Sequence, residues 1–196
     1  MMGRLDGRIA IVTGAAGGIG VASACRLAAD GATVILADID EKATVTAAAG
    51  IARSVAHAVD LTDESSVKAL ADFAIERFGR IDILHNNAAI QNDAQRQKDL
   101  DVVNLDVAAW DAAMAVNARG AMLMSKFVIP HMIVQGGGSI IHSASGFGVQ
   151  GESTLTAYGS SKAALIQLNR MIATQYGKQN VRSNCMVIGF VLTQLA

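Results

Sequence analysis

Short apolar runs alternate along this chain with longer stretches in which apolar residues recur every three or four positions. Residues 9–12 read as a buried strand ending at a glycine cluster. Residues 19–29 read as a helix, with Ile19, Ala22 and Leu27 apolar and Gly31 as its stop. A second strand over 33–37 ends at Asp38. An alanine-rich helix over 41–49 is closed by Gly50, and a third strand over 54–59 ends at Asp60. The stretch 63–78 is a stronger helix: Thr62 can cap it, Val67, Leu70, Ala71, Ala74 and Phe78 share one face, and Gly79 ends it. A fourth strand over 81–85 precedes a polar segment, 91–101, that reads as a loop. Residues 107–116 and 118–134 are helical, with Pro130 a candidate kink in the second. After the break at 136–138 come a fifth strand over 139–142, an irregular stretch over 143–156, a helix over 157–176 and a sixth strand over 181–187.

Strands that alternate with helices predict βαβ units and a parallel sheet. Right-handed crossovers make this an α/β fold of Rossmann type: a doubly wound parallel sheet in three layers, α/β/α. No repeat, linker or shift in composition divides residues 1–196, so one domain is expected.

A hydrophobic content of 52% over 196 residues suits a packed core and argues against disorder. The net charge of -1 provides no basic surplus for nucleic acid or an anionic membrane surface. No stretch approaches the roughly 18 apolar residues of a spanning helix. Residues 1–7, with Arg4 and Asp6, lack the pattern of a signal peptide. Cys25 and Cys185 sit among apolar residues without CxxC spacing; both are expected to be buried thiols, in a cytoplasmic protein without disulfides. His57, His85, His131 and His142 have no metal-like spacing, so no metal is expected. Met114, Met122, Met124 and Met132 read as core or interface residues and Trp110 as a packing anchor. Arg96, Lys98 and the neighbouring acids read as a solvated loop, a candidate edge of a substrate site.

Candidate chemistry begins at the turn Thr13-Gly14-Ala15-Ala16-Gly17-Gly18-Ile19-Gly20, between the first strand and the first helix. Gly14 allows a tight turn, Gly18 removes a side chain where a pyrophosphate would approach, and Gly20 allows close packing of the helix. With Ile19 they are the turn's candidate cofactor contacts, because a helix N-terminus offers free N–H groups and partial positive charge to phosphates. The spacing is GxxxGxG, not the common GxGxxG. Asp38, 18 residues beyond Gly20, ends the second strand where an acid can accept hydrogen bonds from ribose hydroxyls. It would repel a 2′-phosphate, and no Arg or Lys lies in the turn or immediately after Asp38. NAD is therefore favoured over NADP; the alternative is a solvated strand-end acid. Asp60 is a candidate for the adenine amino group, with a turn cap as the alternative.

Tyr158-Gly159-Ser160-Ser161-Lys162 places a phenol and an ammonium four residues apart, on one helix face. A tyrosine titrates near 10, and lowering that by about 3 units needs about 4 kcal/mol of preferential anion stabilisation. A nearby ammonium and a cationic nicotinamide ring are the groups expected to supply it. Tyr158 would then give a proton to a carbonyl oxygen, or take one from an alcohol.

These motifs together resemble the short-chain dehydrogenase/reductase family: TGAAGGIG at 13–20, Asp60-Leu61, NNAA at 86–89, Asn117, Ser145 and YGSSK at 158–162. The resemblance covers essentially the whole chain. It implies one nucleotide-binding domain that also carries the active site, assembled as a homodimer or homotetramer through long central helices. It implies that Ser145, 13 positions before Tyr158, orients the reacting oxygen as an oxyanion-type donor. Lys162 would also hold the nicotinamide ribose. The backbone carbonyl of Asn117 would hold a water linking Lys162 to solvent. Asp60, Leu61, Asn87 and Ala88 would border the adenosine, with an Asn side chain tying neighbouring strands, and Thr193 would touch the nicotinamide carboxamide. Phe147, Val149, Gln150 and Leu155 would line one substrate wall.

Three departures from the pattern stand out: Ala89 replaces a usual Gly, Ile188-Gly189 replaces Pro-Gly, and relatives continue beyond the position of Ala196 with lid helices and a last strand. One sheet edge and the substrate pocket are therefore expected to stay open over 1–196. The function implied is hydride transfer between NAD(H) and the carbonyl or secondary alcohol of a small, mostly apolar molecule. The alternatives are an NADPH-dependent 3-oxoacyl reductase and a nucleotide-binding protein without turnover.

Overall fold

The computed structural model describes residues 3–192. Six strands form one parallel sheet: β1 (Ile9–Thr13), β2 (Thr33–Asp38), β3 (Ser54–Ala58), β4 (Ile83–Asn86), β5 (Gly138–Ser145) and β6 (Val181–Ile188), in the order β3-β2-β1-β4-β5-β6. Between them run α1 (Gly18–Ala29), α2 (Glu41–Ala49), α3 (Glu64–Phe78), α4 (Asp93–Arg96), α5 (Val107–Ala113), α6 (Gly120–Val134) and α7 (Thr156–Tyr176). The order in which strands join the sheet reverses between β1 and β4, and the crevice at the carboxyl ends of those strands is where such sheets bind ligands.

The strands read as continuous apolar runs because both sheet faces are covered. Alternate residues of β1 enter separate cores. Ile9 and Ile11 pack with Leu70, Leu84, Met124, Val128 and Ile140 on the face covered by α3, α6 and α7. Ala10 and Val12 pack with Ala24, Val34 and Leu36 on the face covered by α1 and α2. Three layers result, as the alternation of elements requires.

Several details differ from the sequence reading, each for a local reason. Asp63, not Thr62, caps α3, its carboxyl accepting from Ser65 N at 2.9 Å. Thr62 instead donates to Asp60. β5 extends to Ser145, beyond the expected 139–142, because β6 pairs with it along its full length. The two central helices are one helical run joined by a π-helical stretch, Met114–Arg119. The polar segment 91–101 contains the short helix α4. Cys25 is exposed, contrary to expectation, because α1 turns only its smallest residues, Gly20 and Ala24, fully inward; Cys185 is partly buried. Among the described residues no helix is long and apolar enough to cross a membrane, and no three His, Cys, Asp or Glu side chains gather as a metal site.

Candidate active site

The turns after β1 and β4 are stitched together at the crevice. Gly14 has φ +65, and a Cβ on it would stand 2.6 Å from the Cα of Ala88. Only glycine combines that left-handed backbone with so close an approach. Thr13 Oγ accepts from the N–H groups of Asn87 and Ala88 at 3.1 and 3.2 Å. The Asn87 amide donates to the carbonyls of Thr13 and Gly14 at 3.0 and 3.2 Å. Asn87 is thus the side chain that ties the neighbouring strands. Asn86 is buried and reaches Ala121 O and Ser125 Oγ only at 3.4 Å. A Cβ on Gly20 would collide with the Gly14 carbonyl, so Gly20 folds the turn onto the start of α1; the sequence reading assigned it to close packing of that helix. Gly17, at the N-cap of α1, gives no side-chain bond, and the first turn has no acid. Exposed Gly18 and half-buried Ile19 follow. Amide groups left free of side-chain caps, behind a turn without bulk, fit the phosphates of a nucleotide.

Asp38 lies at the edge of this turn. One of its oxygens accepts from Ala16 N at 3.0 Å and the other from Asp40 N at 3.2 Å. A carboxylate has about four acceptor sites, so capacity remains for ribose hydroxyls. Asp60 commits Oδ1 to the N–H and hydroxyl of Thr62, at 2.8 and 2.7 Å, as a turn cap does. The Leu61 side chain belongs to the core against Gly120, which leaves its backbone for any ligand contact.

The second half of the site joins α7 to the end of β5. Lys162 is 2% exposed, and its Nζ donates to the Ser143 carbonyl at 2.7 Å. It stands 5.4 Å from the centroid of the Tyr158 ring. Burial pulls the ammonium down to about 8, against a small opposing effect of Cys185. Tyr158 is half-buried, with the Phe147 ring edge-on at 6.2 Å. Burial pushes its phenol above 10, while hydrogen bonding by Ser145 and the charge of Arg96 pull the other way. The sequence reading expects Lys162 and a nicotinamide cation to lower this phenol; the protein's own desolvation raises it. Ser145 Oγ accepts from Phe147 N at 3.3 Å, which leaves its hydroxyl hydrogen free to donate. Asn117 is 1% exposed within the π-helical stretch; its oxygen accepts from Ile90 N at 2.8 Å and its amide donates to Ser161 Oγ at 2.9 Å.

The family model described as short chain dehydrogenase matches residues 8–196. This chain belongs to the short-chain dehydrogenase/reductase family. A probable short-chain type dehydrogenase/reductase of Bradyrhizobium diazoefficiens is 41% identical over 98% of this chain and 69% of its own length. The 7alpha-hydroxysteroid dehydrogenase of Bacteroides fragilis is 38% identical over 100% of this chain and 76% of its own. The crystal structure of an NAD+-bound xylitol dehydrogenase superposes with a TM-score of 0.89, at 33% identity, over 95% of this chain and 72% of that one. This dehydrogenase is thus an oxidoreductase of CH–OH groups.

Within the dehydrogenase site, the structure brings Ser145, Tyr158, Lys162 and Asn117 together on α7 and the elements packed against it, and Gly14, Gly20, Asp38, Asn87 and Ala88 around the crevice. Thr193 lies outside the described residues. Phe147 and Leu155 are half-buried beside Tyr158, whereas Val149 and Gln150 are exposed. Sequence reasoning missed four features. Gly148 lets the turn Gly146–Gly148 rest on α7: a Cβ there would lie 2.8 Å from the Lys162 carbonyl carbon. His85 Nε2 pairs with Ser143 Oγ at 2.9 Å beneath Lys162. His142, 0% exposed, lies beside them. Asp99, read as part of a solvated loop, is 1% exposed and bonded to the start of α7. The spacing of Tyr158 and Lys162 reveals none of these, because each depends on contacts between distant segments.

Proposed function

We propose that this dehydrogenase interconverts a small, mostly apolar secondary alcohol and its ketone with NAD(H), and that Tyr158 moves the proton. The observation that carries this reading is the buried ammonium of Lys162, pinned to Ser143 O and facing the Tyr158 ring. When bound, the nicotinamide supplies or accepts the hydride. Ser145 donates a hydrogen bond to the substrate oxygen and orients it. Tyr158 gives its phenolic proton to that oxygen in reduction and takes it back in oxidation. Lys162 favours the tyrosinate and holds the ribose. Asn117 fixes the neighbouring helix face through Ser161. Gly14, Gly18, Ile19 and Gly20 form the phosphate bed, with Asp60, Leu61, Asn87, Ala88 and Thr193 along the rest of the cofactor.

Asp38 supports NAD over NADP. Its carboxyl group is fixed by two backbone N–H groups at the place where a 2′-phosphate would bring like charge. Apolar Phe147 and Leu155 favour an apolar substrate portion. The free thiols Cys25 and Cys185 fit a cytoplasmic protein, and exposed apolar residues along α5 and α6, Val107 and Met122 among them, fit a homodimer or homotetramer.

Parallel fluorescence titrations with NADH and NADPH test the cofactor, and a panel of secondary alcohols followed by reduced-nicotinamide absorbance tests the reaction. Tighter NADH binding together with oxidation of apolar alcohols is expected. Preference for NADPH with reduction of 3-oxoacyl thioesters would replace this reading, and cofactor binding without turnover of any alcohol or ketone would end it.

A further inference from the structure

α7 begins without a cap of its own. Leu155, at its N-cap, is left-handed (φ 60, ψ 40) and its side chain makes no capping bond. The opening amides are taken by a side chain 58 residues away in sequence: Asp99 Oδ1 accepts from Ala157 N at 2.7 Å, and Oδ2 accepts from Tyr158 N at 2.9 Å. The Asp99 carbonyl accepts from Leu155 N at 2.9 Å, and the Thr156 hydroxyl donates to Leu100 O at 2.7 Å. The segment bearing Asp99 is anchored on its other side by buried Gln95, whose amide donates to Ala109 O at 2.7 Å. One carboxyl group therefore clamps a polar loop to the two residues that begin the Tyr158 helix.

We infer that Asp99 is a positioning residue for Tyr158: it fixes the backbone from which the phenol projects and, lying across the positive end of α7, raises the phenol's hold on its proton. Tyr158 is the third residue of α7, within the first turn, where an uncapped helix end favours an anion. A carboxylate across that end opposes the effect. The other charged or polar groups around the phenol are Arg96 from the end of α4, Lys162 from α7 and Ser145 from β5, with the Phe147 ring edge-on. Asp99 thus balances the cations and keeps Tyr158 a proton donor until substrate and cofactor are in place. This rests on the reading of Tyr158 as the proton-transfer group.

The chain contains two tyrosines, Tyr158 and Tyr176, so 13Cζ-tyrosine NMR resolves each phenol's titration without turnover. In full-length Asp99→Asn the Tyr158 midpoint is expected to fall by about half a pH unit, with Tyr176 unchanged as the internal control. Asp99→Asn keeps the size and one acceptor, which guards against the misfolding that Asp99→Ala risks. In the unsubstituted protein, slow hydrogen exchange at the Ala157 and Tyr158 amides is expected, because both donate to Asp99 and would otherwise lack a partner in the first turn. An unmoved Tyr158 midpoint, or fast exchange at both amides, overturns the inference. If Tyr158→Phe stayed active, the proton-transfer reading would fall while the titration result would stand.

Discussion

Lys162 Nζ donates to the carbonyl oxygen of Ser143 at 2.7 Å, and the bond continues into the nucleotide turn. Ser143 Oγ pairs with His85 Nε2 at 2.9 Å and donates to Asn87 Oδ1 at 3.4 Å. Asn87 in turn holds the carbonyls of Thr13 and Gly14. One run of contacts thus connects the ammonium beside Tyr158 to the glycine-rich turn after β1.

Replacing Lys162 separates its electrostatic role from its structural one. Lys162→Met keeps the apolar stem and removes a charge that is costly to bury. Turnover should fall about 100-fold or more, while the thermal midpoint stays level or rises. Steady-state kinetics and calorimetry on the same preparation check this. A normal rate would show that the ammonium does not assist the phenol.

Asn117 makes a different prediction. Its side chain joins Ile90 N to Ser161 Oγ from a buried position, so Asn117→Ala leaves the Ile90 N–H unpaired. Urea unfolding should show a loss of about 2 kcal/mol.

Much of this was legible in the sequence where the signal is local. An apolar run, a glycine cluster and an apolar-faced helix follow one another at residues 9–29, and Tyr158 and Lys162 share one helix turn. The cap of α7 was not legible, because Asp99 is supplied by a segment whose own composition reads as solvated. Asp60 illustrates the reverse case: its type and place suit a nucleotide contact, yet a neighbouring Thr62 takes one of its oxygens. Cys25 sits in an apolar sequence, but α1 lies against the sheet along its smallest residues and leaves the thiol outside. Local pattern fixes which face is apolar; packing partners decide which residues are covered.

His85 and His142 predict a pH dependence of stability. His85 is pulled down to about 4 by burial, and His142 to about 4 by burial first and then by the charges of His85 and Lys162. Their unfolded value is about 6.5, so the unfolded chain binds more protons as pH falls below that. The stability they contribute is complete above about 6.5 and is lost progressively down through about 4. Between pH 7 and 5 the loss should be on the order of 1–2 kcal/mol per histidine. His85→Gln and His142→Asn should each flatten the acid side of a stability–pH curve measured by urea unfolding; an unchanged slope would place these histidines' titration outside the folding equilibrium.

On the proposed function, Tyr158 carries the proton in a site whose cofactor bed is independent of it. The most direct measurement pairs single-turnover kinetics with an NADH titration of Tyr158→Phe. Loss of turnover by about 1000-fold or more, with NADH affinity within about twofold of the unsubstituted protein, is the predicted result. Turnover that survives the loss of the phenolic hydroxyl would contradict it.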